Sequence, residues 1–100
     1  MIAVNTPKFQ MGKVVATPGA LAALEEAGHS PWVYLSLHVE ANWGTVDADD
    51  KAANDNALRD GSRILSAYRL NTGEKIWIIT DAEDDHGHRQ STTILLPDEY

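Results

Sequence analysis

The apolar positions recur at helical spacing in the first half of the chain and alternate at strand spacing in the second. Residues 1–12 follow neither period and predict an N-terminal arm, after which Val14 and Val15 add a short extended segment. Thr17-Pro18 has the chemistry of a helix start, with Thr as N-cap and Pro at the first helical position. Leu21 and Leu24 then share a face and Gly28 stops the helix, which predicts a first helix over 18–27. Ser30-Pro31 repeats that start. The run Trp32, Val33, Leu35, Leu37, Val39 and Trp43, closed by Gly44, is apolar on more than one face and predicts a buried second helix. Asp47 caps a third helix ending at Gly61, with Asp49 and Asp50 in its first turn, where carboxylates complement the positive end of the helix dipole. Its apolar face, Ala53, Ala57 and Leu58, is thin enough to predict a surface helix.

From Ser62 onward β-branched and aromatic residues dominate, and Asn71-Thr72-Gly73 has the composition of a tight hairpin loop. Strands are predicted at 63–70, 74–80 and 91–96. Ile64, Tyr68 and Leu70 alternate with Arg63 and Arg69, whereas Ile76-Trp77-Ile78-Ile79 is apolar on both faces and suits a middle strand. The expected architecture is α+β, with two or three N-terminal helices packed on a C-terminal three-stranded antiparallel β-meander, forming a single domain over residues 13–100. The outer strands, 63–70 and 91–96, would be the edges through which a homodimer pairs.

Composition supports one core and no second one: the chain has 100 residues, 43% apolar and 23% charged. It contains no cysteine, so neither a disulfide framework nor a thiolate metal site is available, as a cytoplasmic protein would have it. No stretch is long and apolar enough to read as a signal peptide or a membrane helix. The formal net charge of −7 is uneven, because residues 45–100 hold 12 acids against 6 bases. That field repels phosphate backbones, so direct nucleic-acid binding is not expected and a basic protein partner is.

Several strings resemble a family of small, uncharacterised bacterial proteins carried on plasmids and other mobile elements. They are Asn5-Thr6-Pro7-Lys8-Phe9, Val14-Val15-Ala16-Thr17-Pro18-Gly19-Ala20, Asp60-Gly61-Ser62-Arg63, Lys75-Ile76-Trp77-Ile78-Ile79-Thr80 and Thr92-Thr93-Ile94-Leu95-Leu96-Pro97. The resemblance implies a mobile-element context and no catalytic residues. Members labelled as restriction-methyltransferase subunits give no guide, since such a subunit needs a cofactor domain with a glycine-rich loop that this pattern lacks. Residues 81–90 depart from the family in being longer and richer in histidine.

That departing stretch is the densest candidate for chemistry. Asp84, His86 and His88 in one loop are a candidate divalent-metal site, one ligand short of the four of a closed structural site, the remainder having to come from the acidic loop or from distant His29 or His38. As a calcium loop it fails: Asp81, Glu83 and Asp85 fill the first positions, but His86 stands where glycine is required and Thr92 where a bidentate Glu is required. Ser30, Ser36 and Ser91 with His29, His38 or His88 sit in no nucleophile elbow, and His38, a general-base candidate, reads better as a histidine satisfied by a carbonyl or lying at the helix surface. Trp32, Trp43 and Trp77 read chiefly as core, with Trp43 the best candidate for exposure beside Gly44. The acidic third helix offers Asp47, Asp49, Asp50 and Asp55 as partner-binding residues that imitate a phosphate array. The resulting expectation is a non-enzymatic intracellular interaction protein of a mobile element, an acidic inhibitor or modulator of a DNA-handling or defence protein that needs no cofactor. The alternative is a divalent-metal-binding protein built on the Asp84, His86, His88 loop.

Overall fold

The structure is a computed structural model that describes residues 7–100. In chain order the elements are β1 (Lys13–Ala16), α1 (Pro18–Ala27), α2 (Pro31–Val39), α3 (Ala48–Asp60), β2 (Ile64–Arg69), β3 (Lys75–Thr80), β4 (Ser91–Leu95) and a 3₁₀ turn, Pro97–Glu99. The caps act as their chemistry dictates. Thr17 Oγ1 accepts from Ala20 N–H at 3.1 Å, Ser30 Oγ from Trp32 N–H, and Asp47 Oδ1 from Asp50 N–H at 2.8 Å. Of the expected arm, residues 1–6 lie outside the described residues. Within 7–12, Lys8 N–H donates to the Val39 carbonyl at 2.8 Å, and Phe9 and Met11 pack against the two core clusters.

The α+β class holds, but the sheet is not a three-stranded meander. β2, β3 and β4 pair antiparallel as expected, and β1 adds to β4 in parallel, giving a mixed sheet of order β1-β4-β3-β2 with all three helices inserted between β1 and β2. The extended segment expected at Val14 and Val15 is β1; what the local sequence does not show is its pairing, with Val14 and Ala16 facing the core beside Thr92 and Ile94, some eighty residues away in sequence. α2 also ends earlier than the apolar run suggested. Ala41 turns left-handed at φ 68°, with Ala41 N–H on the His38 carbonyl and Asn42 N–H on that of Leu37, so the chain leaves the helix before Trp43.

The register sorts the sheet into two faces. Val14, Ala16, Ile64, Ser66, Tyr68, Ile76, Ile78, Thr80, Thr92 and Ile94 share one face. Ala20, Ala23, Leu24, Tyr34 and Leu35 of α1 and α2 bury its larger apolar part. A smaller cluster of Trp43, Ala57 and Ile64, joined by Phe9, Val46 and Leu58, roots α3. The inward residue of α3 at the middle of the helix is Asn54, not Ala53: its amide meets the backbone of Leu65 twice, at 2.7 and 3.1 Å, like one more peptide of a neighbouring strand.

That contact, together with Thr45 N–H on the Ala67 carbonyl at 2.7 Å and Ala67 N–H on that of Trp43 at 3.1 Å, closes the outer edge of β2. β4 lies inside the sheet. Neither edge expected to pair with a second copy is therefore open, and β1 is the strand left at the margin. The closure depends on Gly44, whose φ is 75° and where an added Cβ would lie 1.8 Å from the Ala67 carbonyl oxygen. Gly44→Ala is expected to lower stability in urea unfolding by about 3 kcal/mol, combining a left-handed backbone with a steric clash. Gly73→Ala, at φ 93° with open space around it, is expected to cost only about 1 kcal/mol; equal costs would show that the Gly44 approach constrains nothing.

Candidate functional site

The residues with the most chemistry form a buried chain. His38 on α2 is fully buried, with Nδ1 2.5 Å from Ser66 Oγ on β2 and Nε2 2.9 Å from Thr80 Oγ1 on β3. Thr80 Oγ1 is 2.7 Å from Thr92 Oγ1 on β4, which donates to the Met11 carbonyl at 2.7 Å. The carbonyl fixes every proton. Thr92 donates to it, so Thr92 accepts from Thr80; Thr80 then accepts from Nε2–H, and Nδ1 accepts from Ser66 O–H. His38 is thus the neutral Nε2–H tautomer. Burial, helped by the charge of Arg89, drives its pKa down to about 3.

A serine donating to an imidazole resembles a nucleophile and its base, but Ser66, His38, Thr80 and Thr92 are all sealed from solvent, and the imidazole is oriented by a threonine in place of a carboxylate. The chain is structural. The serines noted in the sequence are also occupied: Ser30 caps α2, Ser36 donates to the Trp32 carbonyl and Ser91 to Asp81. His29 meets the Tyr34 hydroxyl at 2.7 Å.

Arg89, a residue that the sequence did not single out, is buried and donates to the carbonyls of Ser62 (2.7 Å), Asp81 (2.9 Å) and Ala57 (3.0 Å). Its positive charge lies at the C-terminal end of α3, where the helix dipole is negative, and its guanidinium sits 5.8 Å from the centre of the Phe9 ring.

The histidine loop is organised around Asp84. Asp84 Oδ1 accepts from the N–H groups of His86 (2.8 Å) and His88 (3.0 Å), and Oδ2 accepts from Gln90. The His88 and His86 backbone donors hold the Asp84 carboxyl below the usual carboxylate range. Its oxygens are thus turned into their own loop, while His86 and His88 border a shallow cleft with Lys8, Phe9 and Glu83. Among the described residues no group of three or more His, Cys, Asp or Glu is placed to hold a metal ion.

The acidic candidates divide. Asp47 is spent on the α3 cap, and Asp55 accepts the Trp43 indole N–H at 3.0 Å and pairs with Lys51 at 3.5 Å; the indole contact leads in holding its carboxyl low. Trp43 itself is 4% exposed and packs on Phe9, so it offers no contact surface and is removed from the partner-binding set. Asp49 and Asp50 stand exposed in the first turn of α3. Asp47 and Asp50 border a cleft of about 250 Å³ whose floor is Leu65, Ala67 and Trp77, with Lys75 at its side. Trp77 is the tryptophan at this surface, and Trp32, expected in the core, is 62% exposed on the first turn of α2. Strand alternation carries the signal for Trp77, since Ile76 and Ile78 face the core and Trp77 must face away.

Comparison with protein-family models, with curated proteins and with solved structures finds no match for this chain. Among the described residues no helix is long and apolar enough to cross a membrane.

The buried imidazole makes stability depend on pH with a definite sign. The unfolded histidine takes up a proton near pH 6.5 and the folded one only near 3, so the unfolded state binds more protons between those values and stability falls as pH drops through that window. Urea unfolding is expected to show a loss of roughly 2 kcal/mol between about pH 7 and 5, at up to about 1.4 kcal/mol per unit. In His38→Gln that slope should vanish; an unchanged slope would assign it to other groups.

Proposed function

We propose that the chain is a non-catalytic, intracellular interaction protein that engages a basic protein at the N-terminal end of α3. Its chemically capable side chains, His38, Ser66, Thr80, Thr92 and Arg89, are buried and hydrogen-bonded to one another or to backbone, which leaves exposed charge as the means of recognition. The observation that carries the reading is the cleft in which Asp47 and Asp50 stand over Leu65, Ala67 and Trp77. Carboxylates beside an aromatic face suit the guanidinium or ammonium group of a partner's side chain, with an apolar floor for its methylene stem. The mobile-element context implied by the sequence resemblance makes a DNA-handling or defence protein, which is commonly basic, the partner class, with this chain as its inhibitor or modulator.

The test uses a variant carrying Asp47→Asn, Asp49→Asn, Asp50→Asn and Asp55→Asn. Asparagine still caps α3 and still accepts from the Trp43 indole, so the fold is retained. A basic protein captured from host lysate by the wild type, identified and then titrated in purified form, is expected to bind the variant at least about ten-fold more weakly and to lose affinity with salt. Equal binding by the variant would reject the acidic surface as the site.

A further inference from the structure

The net charge of −7 conceals a segregation that the sheet register brings out. Lys13, Arg69 and Lys75 all fall on the sheet face away from α1 and α2, and Arg63, immediately before β2, follows the same alternation. Half of the chain's eight basic residues therefore share one face. All four are exposed, and the one ion pair among the described residues is Lys51–Asp55, elsewhere. Asp81 faces the same way and is taken by the Ser91 hydroxyl at 2.8 Å, while Asp47 and Asp50 border Lys75 across the cleft without closing an ion pair.

Arg69 and Lys75 are direct cross-strand partners at the end of the β2–β3 hairpin. Like charges in that position work against the sheet, and an anion between them would reverse the effect. Arg63 lies about six residues further along, roughly 20 Å at strand rise, and Lys13 lies roughly 14 Å across the sheet on β1. Between these basic ends the face is largely apolar, with Val15, Leu65, Ala67, Ile79 and Leu95, and carries Trp77 and Thr93 among them. Tyr100 is 71% exposed, its ring edge-on to Trp77 at 5.7 Å with the Arg63 guanidinium 5.7 Å from its centre, and Thr93 is half-buried beside them. The whole-chain charge does not govern this face, because screening confines each charge's field to about 8–10 Å.

We infer that this sheet face binds a single-stranded nucleic acid, with Arg69, Lys75, Arg63 and Lys13 on phosphates and Tyr100 as a stacking platform for a base. Cations at separated points and a solvent-facing aromatic between them fit a flexible strand with flat bases. An acidic peptide would satisfy the cations and leave the aromatic unused.

The test is fluorescence anisotropy with a labelled single strand of about twelve nucleotides, within the usual site size of such surfaces. Binding is expected at low salt. The Arg69→Gln, Lys75→Gln double variant should bind about ten-fold more weakly, with a log affinity against log salt slope shallower by about 1.4. Its urea midpoint should equal or exceed that of the wild type, since a like-charge pair is removed, so weaker binding is not a folding defect. Tyr100→Ala should weaken binding about ten-fold with the slope unchanged, as loss of stacking does. Asp49→Asn should bind as well as the wild type or better. Absence of binding at low salt, or affinity insensitive to the double variant, overturns the proposal. So does a poly-glutamate peptide that binds as tightly and ignores Tyr100→Ala, which would make an acidic peptide the ligand.

Discussion

The hydrogen-bonded line from Ser66 through His38, Thr80 and Thr92 to the Met11 carbonyl is the constraint on which the rest of the structure depends. It joins α2, β2, β3, β4 and the segment leading into β1 through side chains that have no water to turn to. Each proton in the line has one acceptor, so the arrangement is satisfied in one register and leaves an orphaned polar group in any other. A one-residue slip of β3 would exchange Thr80 for Ile79 or Asp81 and strand the imidazole. Apolar packing of Ile76, Ile78 and Ile94 would tolerate near alternatives; the polar line does not. Among the described residues no buried side-chain nitrogen or oxygen lacks a partner, which is the condition under which such a network specifies a fold.

Arg89 plays the same part just beyond Thr80 and Thr92, at the same end of the sheet. Three carbonyls from α3, from the turn after it and from the end of β3 converge on one guanidinium, so α3 is anchored more by backbone acceptors than by apolar area. This accounts for a helix whose exposed positions carry charged residues, Asn56 and alanine and no large apolar side chain. Asn54 adds the second anchor by acting as a strand-edge peptide, and the acidic face is left unencumbered on a helix that is nevertheless fixed in place.

What could be read in the sequence was local. Caps and stops placed α1 and α3 because Thr17-Pro18, Asp47, Gly28 and Gly61 carry their signals within a few residues, and alternation placed β2, β3 and β4 to within a residue. What could not be read depended on distant partners. β1 is four residues whose place in the sheet is set by β4, and the end of α2 rests on a left-handed Ala41 where the usual signal would be a glycine. For the candidate site, the acids of α3 were visible as a charge run and the outward turn of Trp77 was implicit in strand alternation, whereas the burial of Trp43 needed the chain's path. His38, expected on a carbonyl or at the helix surface, is instead fully buried between two hydroxyls. Nothing in the sequence could name Ser66 and Thr80, since they lie 28 and 42 residues away.

The separation of buried from exposed polar groups bears directly on function. The chain encloses its Ser–His contact and presents carboxylates at the N-terminal end of α3 and cations on a sheet face. Of these exposed charges Asp47 caps α3, Asp55 accepts the Trp43 indole and pairs with Lys51, and Arg63 donates to the Tyr100 hydroxyl, whereas the side chains of Asp49, Arg69 and Lys75 make no hydrogen bond or ion pair among the described residues. The Arg69–Lys75 pairing is the clearest case, because it opposes folding and is the one cross-strand pair in the sheet that sets two like charges together. A scaffold made rigid by internal polar links can carry such unfavourable surface pairs, and recognition of charged partners on two faces is what that rigidity would serve.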